Sequence, residues 1–373
     1  MFWNAGEWTH AAQDYWRWPA GSRNNMADVP GVRVGHYSVI GKRTQTGITV
    51  IMPHEGNLFQ EKVPAAVDTF NGYGKACGFE QVRELGRLET PIALTNTLCV
   101  PRVADTLISY TLQHNPNATS INPVVGECND SYLSDITLRA VNEWHVNQAI
   151  DLARESLLAE GCIGAGTGTA CYGFKGGIGT ASRKVGDYVL GALVQTNFGQ
   201  MHELMVFGQP IGTKLAKQRA QPPTPPGSVM IVLATNAPLS GLELHRVAKR
   251  AMLGLARTGA HGHHSSGDFT IAFSTANRYP HASTAPIETI QRVSDHVLDD
   301  LFSATVEAVE NCVYNALFYA ETTHGRDGHV LERLPWEDST DYLRHKPSLS
   351  AARKPVSALF NDEQGKIGTQ VDF

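Results

Sequence analysis

The chain has 373 residues, of which 31 are Lys or Arg and 36 are Asp or Glu, so its formal net charge is −5 at neutral pH. The hydrophobic fraction of 42% is enough for a buried core and excludes a wholly disordered chain. The acidic balance argues against a nucleic-acid-binding protein, because such proteins carry a basic face. No stretch approaches about 18 apolar residues and the first residues do not resemble a signal peptide, so we expect no contact with a membrane.

The six cysteines form no CxxC pair and show no spacing typical of zinc ligands. A chain of this length does not need disulfide bonds to stabilise its core, so buried thiols in a reducing compartment are expected. We therefore predict a cytoplasmic protein, with the periplasm as the alternative.

Residues 1–25 are aromatic and polar without a clear period, and they predict an irregular N-terminal arm. Its four tryptophans could dock on a surface or on a neighbouring subunit, and a partly ordered terminus is the alternative. They are Trp3, Trp8, Trp16 and Trp18.

The first half of the chain mixes strand and helix signals. Short apolar runs bounded by glycine or proline predict strands at 47–52 and 63–67. Apolar residues at helical spacing predict helices at 103–113 and 145–159. A further strand is predicted at 186–196.

Residues 161–179 contain eight glycines, which suggests a phosphate-binding loop at first sight. Gly164, Gly166 and Gly168 form GxGxG and not GxGxxG, and Lys175 is not followed by Ser or Thr as in a P-loop. We therefore predict tight turns here, with no nucleotide and no other cofactor.

The sharpest change in composition lies at residues 214–227, which are basic and then proline-rich. This stretch predicts a linker and not a core strand or helix. A buried strand is expected immediately afterwards, at 228–234, followed by a helix at 241–256. The pattern then indicates a strand at 269–274.

Residues 286–320 are predicted to be helical, with one break. The residues after it are polar and rich in charge and proline, so a loosely ordered tail is expected.

Gly227 and Ser228 lie where the linker meets the buried strand. A serine in this position could attack the preceding carbonyl, and the new α-amino group, with a pKa of about 7.7–8.0, could then serve as a base. An ordinary linker gives the same pattern, so both interpretations stay open on the residues alone.

A histidine-rich turn leads into the predicted strand at 269–274. His261, His263 and His264 suggest a metal, but neighbours in so short a turn rarely converge on one ion and no acidic partner with HExxH-like spacing is present, so no metal site is predicted. Ser266 and Asp268 could form a hydroxyl–carboxylate proton relay, or they could simply cap the turn.

Taken in order, these segments resemble the L-aminopeptidase/D-esterase and β-peptidyl aminopeptidase family of self-cleaving N-terminal-serine hydrolases. The resemblance covers residues 26–320. The segments that carry it are 27–36 (ADVPGVRVGH), 47–53 (GITVIMP), 91–97 (PIALTNT), 123–130 (PVVGECND), 192–199 (ALVQTNFG), 227–239 (GSVMIVLATNAPL) and 254–277 (GLARTGAHGHHSSGDFTIAFSTAN).

The resemblance implies a nucleophile and its helpers. Ser228 is the expected nucleophile, released by cleavage of the Gly227–Ser228 bond, and Asn197 is the expected oxyanion donor. Ser266 and Asp268 are expected beside Ser228, although some relatives carry Glu at the position of Asp268.

The resemblance also implies a binding residue for the substrate. Glu127 is expected to bind the free amino group, which sets aminopeptidase specificity. Some relatives place an oxyanion-binding tyrosine two residues after this acid, where this chain has Asn129, with Tyr132 three residues further on, so that role is left unassigned.

The implied fold is α/β (α+β): a four-layer αββα sandwich that resembles N-terminal nucleophile hydrolases and ornithine acetyltransferase. Residues 26–227 and 228–325 are then the α-subunit and β-subunit parts of one catalytic domain, between an arm at 1–25 and a polar tail at 326–373.

The predicted function is release of N-terminal residues from short peptides, amides or esters by a homo-oligomer of processed αβ units. An acyltransferase of the ornithine-acetyltransferase type and an uncleaved binding protein of the same fold are the alternatives.

Overall fold

The structure is a computed structural model that describes residues 15–220, 222 and 227–335. The strands are β1 (Arg33–Ile40), β2 (Gln45–Met52), β3 (Glu61–Gly72), β4 (Arg87–Leu88), β5 (Ile92–Asn96), β6 (Val124–Cys128), β7 (Ala170–Cys171), β8 (Phe174–Lys175), β9 (Ile178–Val185), β10 (Tyr188–Asn197), β11 (Ser228–Thr235), β12 (Gly267–Ser274), β13 (Tyr279–Pro280), β14 (Thr323–His324) and β15 (Val330–Leu331). The α-helices are α1 (Phe79–Leu85), α2 (Val100–His114), α3 (Glu143–Asp151), α4 (Ile211–Gln218), α5 (Gly241–Ala248), α6 (Ala251–Arg257) and α7 (Leu298–Phe318).

Two sheets form the centre of the molecule. The larger has the order β13-β3-β12-β11-β10-β9, with β4 attached to β3, and the smaller has the order β1-β2-β5-β6. Each sheet is antiparallel except for one parallel pair, which is β11 with β12 in the larger and β5 with β6 in the smaller.

Strand β11 shows why the sheets stack. All eight of its residues are buried, as expected for a strand covered on both faces. Because side chains alternate across a strand, Val229, Ile231 and Leu233 pack towards helices α5, α6 and α7, and Met230 and Val232 pack towards the small sheet.

The small sheet repeats this arrangement. Ile51 and Leu94 face the large sheet, and Val50 and Ala93 face helices α2 and α3. The layers are therefore helix, sheet, sheet and helix, which confirms the predicted four-layer αββα sandwich. None of the helices in the described ranges is long and apolar enough to cross a membrane.

Several predicted helices have other bounds. The helix expected at 241–256 is divided at Lys249 and Arg250, because the Arg250 N–H donates to the Val247 carbonyl three residues back and so leaves the α-helical pattern. The helix expected at 145–159 ends at residue 151, and the one expected at 286–320 covers only 298–318.

The prediction that the basic stretch from residue 214 is only a linker is wrong in its first part. Residues 211–218 form helix α4, in which Ile211 and Leu215 lie one turn apart and are both buried. The apolar pair at i and i+4 outweighs the exposed basic residues between and after it.

The described part of the arm, residues 15–25, packs on helix α7 of the same chain. The backbone N–H groups of Arg17 and Trp18 donate to the two carboxylate oxygens of Glu307, at 3.0 and 3.1 Å. Trp16 packs against the core around Tyr314. Trp3 and Trp8 lie outside the described residues.

The start of the predicted tail is ordered as well. β14 and β15 form a short hairpin, and Leu331 and Leu334 are buried. Residues 336–373 lie outside the described ranges.

Candidate active site

The first residue of β11, Ser228, lies at the centre of the large sheet. In the register it lies opposite Asn197, the last residue of β10, and opposite Gly267, the first residue of β12. Ser228 is only 4% exposed and has the same strand parity as Met230, so it belongs to the face that meets the small sheet. The fold therefore brings Asn197, Ser228 and the Ser266–Asp268 segment together.

Two N–H donors point at the Ser228 hydroxyl. The backbone N–H of Asn129 lies 3.3 Å from the Oγ atom, and Asn197 Nδ2 lies 3.4 Å from it. Asn197 is fixed from its other side, because its Oδ1 accepts from the Ala170 N–H at 3.1 Å. Such a pair of fixed donors can stabilise negative charge on or beside the hydroxyl oxygen.

Ser266 and Asp268 form a buried pair next to Ser228. Ser266 Oγ donates to Asp268 Oδ1 at 2.5 Å. Burial raises the pKa of the Asp268 carboxyl, although the Ser266 hydrogen bond and the nearby His263 both lower it. The other carboxylate oxygen, Oδ2, is buried without a hydrogen-bond partner among the described residues, so it is available to a further donor.

Glu127 lies near the end of β6 and is 4% exposed. Its Oε1 accepts from the Lys75 backbone N–H at 3.0 Å, and its Oε2 accepts from the Thr97 hydroxyl. Both donors are uncharged, so they orient the carboxylate but neither of them forms an ion pair with it. The same strand end provides the Asn129 N–H, so the acid and one donor to Ser228 are two residues apart.

Gly227 is packed closely against β10. A Cβ atom at this position would lie 3.0 Å from Phe198 Cα and 3.1 Å from the Asn197 carbonyl oxygen. A larger residue there would have to displace backbone next to the Gly227–Ser228 bond. This close packing favours glycine at position 227, independently of the composition of the linker.

The structure places Asn129 and Tyr132, between which a role was left open, in different surroundings. Asn129 contacts Ser228 through its backbone N–H, which any residue could supply. The Tyr132 ring instead stacks on His329 with centroids 4.5 Å apart, in a small cluster with Leu133. The structure gives Tyr132 no contact with Ser228.

Two buried charged residues near the site were missed by the sequence analysis. Burial raises the pKa of Asp130 to about 7, and neither of its carboxylate oxygens has a hydrogen-bond partner among the described residues. Lys175 is fully buried in the glycine-rich segment, and burial lowers its pKa. Its Nζ donates to the carbonyl oxygens of Gly166, Thr169 and Gly176 at 3.0, 2.9 and 2.8 Å.

The histidine-rich turn also gains a partner that the sequence did not indicate. Glu203, from the turn after β10, places its carboxylate beside His261 and His263, and the three side chains offer ligand atoms within 4.8 Å of one another. His264 lies outside this group. The acid is missing from the local sequence because it is 58 residues before His261.

Comparison with known proteins places this chain in a family. The family model for peptidase family S58 matches residues 24–331. The chain is 34% identical over 361 residues to a β-peptidyl aminopeptidase of Sphingosinicella microcystinivorans, covering 89% of this chain and 91% of the relative.

Solved structures agree with this assignment. The PH0078 protein from Pyrococcus horikoshii OT3 is 45% identical, with a TM-score of 0.83, and the match covers 88% of this chain and 96% of that one. The L-aminopeptidase D-Ala-esterase/amidase from Ochrobactrum anthropi, described as a variant of the Ntn hydrolase fold, is 34% identical with a TM-score of 0.82, covering 90% and 97%. The chain therefore belongs to peptidase family S58 and is a serine-type aminopeptidase.

Proposed function

We propose that the chain cleaves its own Gly227–Ser228 bond and then releases N-terminal residues from short peptides, amides or esters through an acyl-enzyme. The observation that carries this proposal is the convergence of two N–H donors on the buried Ser228 hydroxyl, at the first residue of a central strand.

Self-cleavage prepares the base. Attack of Ser228 Oγ on the Gly227 carbonyl carbon forms an ester while the Gly227–Ser228 C–N bond breaks and the hydroxyl proton passes to the released nitrogen. Water then hydrolyses the ester, which leaves a carboxylate on Gly227 and a chain that begins with Ser228. The α-amino group released in this way has an ordinary pKa of about 7.7–8.0, so it can accept the hydroxyl proton near neutral pH.

The catalytic cycle then uses the surrounding groups. The Glu127 carboxylate binds the ammonium group of the substrate, and Ser228 Oγ attacks the scissile carbonyl. The Ser228 amine, or Ser266 held by Asp268, takes the proton and passes it to the leaving amine. Asn197 and the Asn129 N–H stabilise the oxyanion, and water releases the acyl group.

A denaturing gel tests self-cleavage. Dividing 40.5 kDa in the ratio of the 227 and 146 residues on either side of the bond gives bands of about 25 and about 16 kDa. Ser228→Ala should leave one full-length band, and Ser265→Ala, a control in the turn before β12, should be cleaved normally. An intact wild-type chain with full aminopeptidase activity contradicts the proposal.

The substrate proposal needs a separate assay. A panel of L-, D- and β-aminoacyl p-nitroanilides identifies the acyl group that is preferred, and the same compounds with a blocked amine test the role of Glu127. Hydroxylamine added as an acceptor distinguishes a hydrolase from an acyltransferase, because an acyltransferase passes most of the acyl group to the amine.

The assembly and compartment stay proposals as well. We propose a homo-oligomer of processed units in the cytoplasm, with the periplasm as the alternative. Six free thiols support a reducing compartment. Light scattering on the processed protein measures the assembly.

A further inference from the structure

We propose that Glu203, His261 and His263 bind a divalent transition-metal ion such as Zn²⁺, at a site separate from Ser228. The sequence predicted no metal because the histidines lie in one short turn and have no acidic partner with HExxH-like spacing. The fold supplies that partner, and two imidazoles with one carboxylate form a donor set that suits Zn²⁺.

The two distances that involve the carboxylate are close to those around one ion, and all three ligand atoms lie within 4.8 Å of one another. Glu203 Oε1 lies 3.1 Å from His263 Nε2 and 3.5 Å from His261 Nδ1. A tetrahedral ion with bonds of about 2.0–2.1 Å requires ligand atoms about 3.3–3.4 Å apart, so both distances need only small adjustments. The spacing of the histidines, with one residue between them, lets both reach the same side of the turn.

The carboxylate is held in place before any ion binds. The Glu203 side chain is only 8% exposed, and its Oε2 accepts from the Gln200 N–H at 2.7 Å. A hydrogen bond to a coordinating group from the surrounding protein is typical of built metal sites. The His261 side chain is 62% exposed, which leaves room for water as the remaining ligand.

The two backbone segments that carry the ligands are also in contact. The Met205 N–H donates to the Thr258 carbonyl at 2.9 Å. Gly259 approaches the Glu203 carbonyl so closely that a Cβ atom there would lie 1.9 Å from the oxygen, and its φ of +100° favours glycine. Binding therefore does not require the turns to be brought together.

An ion at this site would restrain the segment that carries Ser266. The Ser266 N–H donates to the His263 carbonyl at 2.9 Å, and Asn71 Nδ2 donates to the same carbonyl at 3.0 Å and to the Ser266 carbonyl at 2.5 Å. His263 is thus connected through one short turn to the Ser266–Asp268 pair, and we expect the bound ion to stabilise this turn.

The test is titration of Zn²⁺ into the metal-free, untagged full chain by calorimetry, with Co²⁺ absorption as a second reading. We expect one high-affinity ion per chain and a rise in the thermal midpoint. Glu203→Gln, His261→Ala and His263→Ala should each weaken binding by about 100-fold or more, since losing only a surrounding contact already costs about 10–100-fold.

His264→Ala is the matched control, because it removes a histidine of the same turn that lies outside the group. It should bind Zn²⁺ as the wild type does. The proposal is overturned when the wild type binds no ion tightly, when His264→Ala loses binding equally, or when His261→Ala, at a side chain that is 62% exposed, binds Zn²⁺ as the wild type does.

Discussion

Asn197 is the side chain whose replacement best tests the proposed oxyanion site. Asn197→Asp keeps the size of the side chain and keeps an acceptor for the Ala170 N–H. It removes the Nδ2 donor that lies 3.4 Å from Ser228 Oγ and puts a carboxylate oxygen in its place. The change therefore acts on the charge that the site can stabilise, with little change in packing.

The expected loss follows from the number of donors. Asn129 and Asn197 supply one N–H each, at nearly equal distances. Loss of one donor from such a site costs about 2.7–4 kcal/mol, which corresponds to about 10²–10³ in kcat. A negative charge at about 4 Å in a partly buried site disfavours an oxyanion by up to about 4 kcal/mol more. We therefore expect kcat to fall by at least about 10²–10³.

The assay measures kcat and KM on p-nitroanilides, with activity normalised to the processed fraction on a gel because the same donor can affect self-cleavage. Asn115→Asp is the control, since it makes the same change at a buried amide that bonds Asn57 and Gln60 away from Ser228. It should lower the thermal midpoint and leave kcat unchanged. A processed Asn197→Asp enzyme within about threefold of wild-type kcat/KM refutes the reasoning.

Three further substitutions test the surroundings of the site. Glu127→Gln should raise KM for substrates with a free amine by about 10–100-fold, since a charged hydrogen bond contributes about 1.5–3 kcal/mol; an equal effect on blocked substrates in the p-nitroanilide assay contradicts this role. Lys175→Met should destabilise the fold by about 3 kcal/mol or more in thermal melts, because three buried carbonyls lose their donor, and exposed Lys184→Met should not. With a native pKa of about 7, Asp130 keeps a proton that the unfolded chain releases near pH 4, so stability should fall as pH rises from about 4 to about 7, by up to about 4 kcal/mol. Asp130→Asn should remove this fall, and a constant difference in thermal midpoint between variant and wild type across that range contradicts it.

The parts of the molecule that sequence could predict are those with a periodic or compositional signal. The apolar run at 228–234 predicted a buried strand, which forms β11 over Ser228–Thr235. The strand expected at 186–196 differs from β10 by at most two residues at each end. The helix at 103–113 extends by only a few residues to α2. In each case the local pattern and the tertiary packing favour the same structure.

The parts that sequence could not predict depend on contacts between distant segments. The Asn129 donor is a backbone N–H, so no residue type indicates it. Glu203 meets His261 and His263 only because two loops lie side by side at one end of the large sheet. The sequence analysis considered Lys175 only as part of a possible P-loop, and its burial depends on three carbonyl acceptors that no spacing rule reveals.

The strand order explains how one domain could tolerate a cut through its centre. Along β3-β12-β11-β10, the two inner strands follow Ser228 in the chain and the two outer strands precede Gly227. Residues 190–197 pair with 228–235 along the whole length of β11, and β12 pairs with β3 on the other side. Cleavage of the Gly227–Ser228 bond would therefore remove no strand from the core, because each piece holds the other through ladder hydrogen bonds and buried side chains. The new amino group would form opposite Asn197, at the position where the proposed mechanism needs its base.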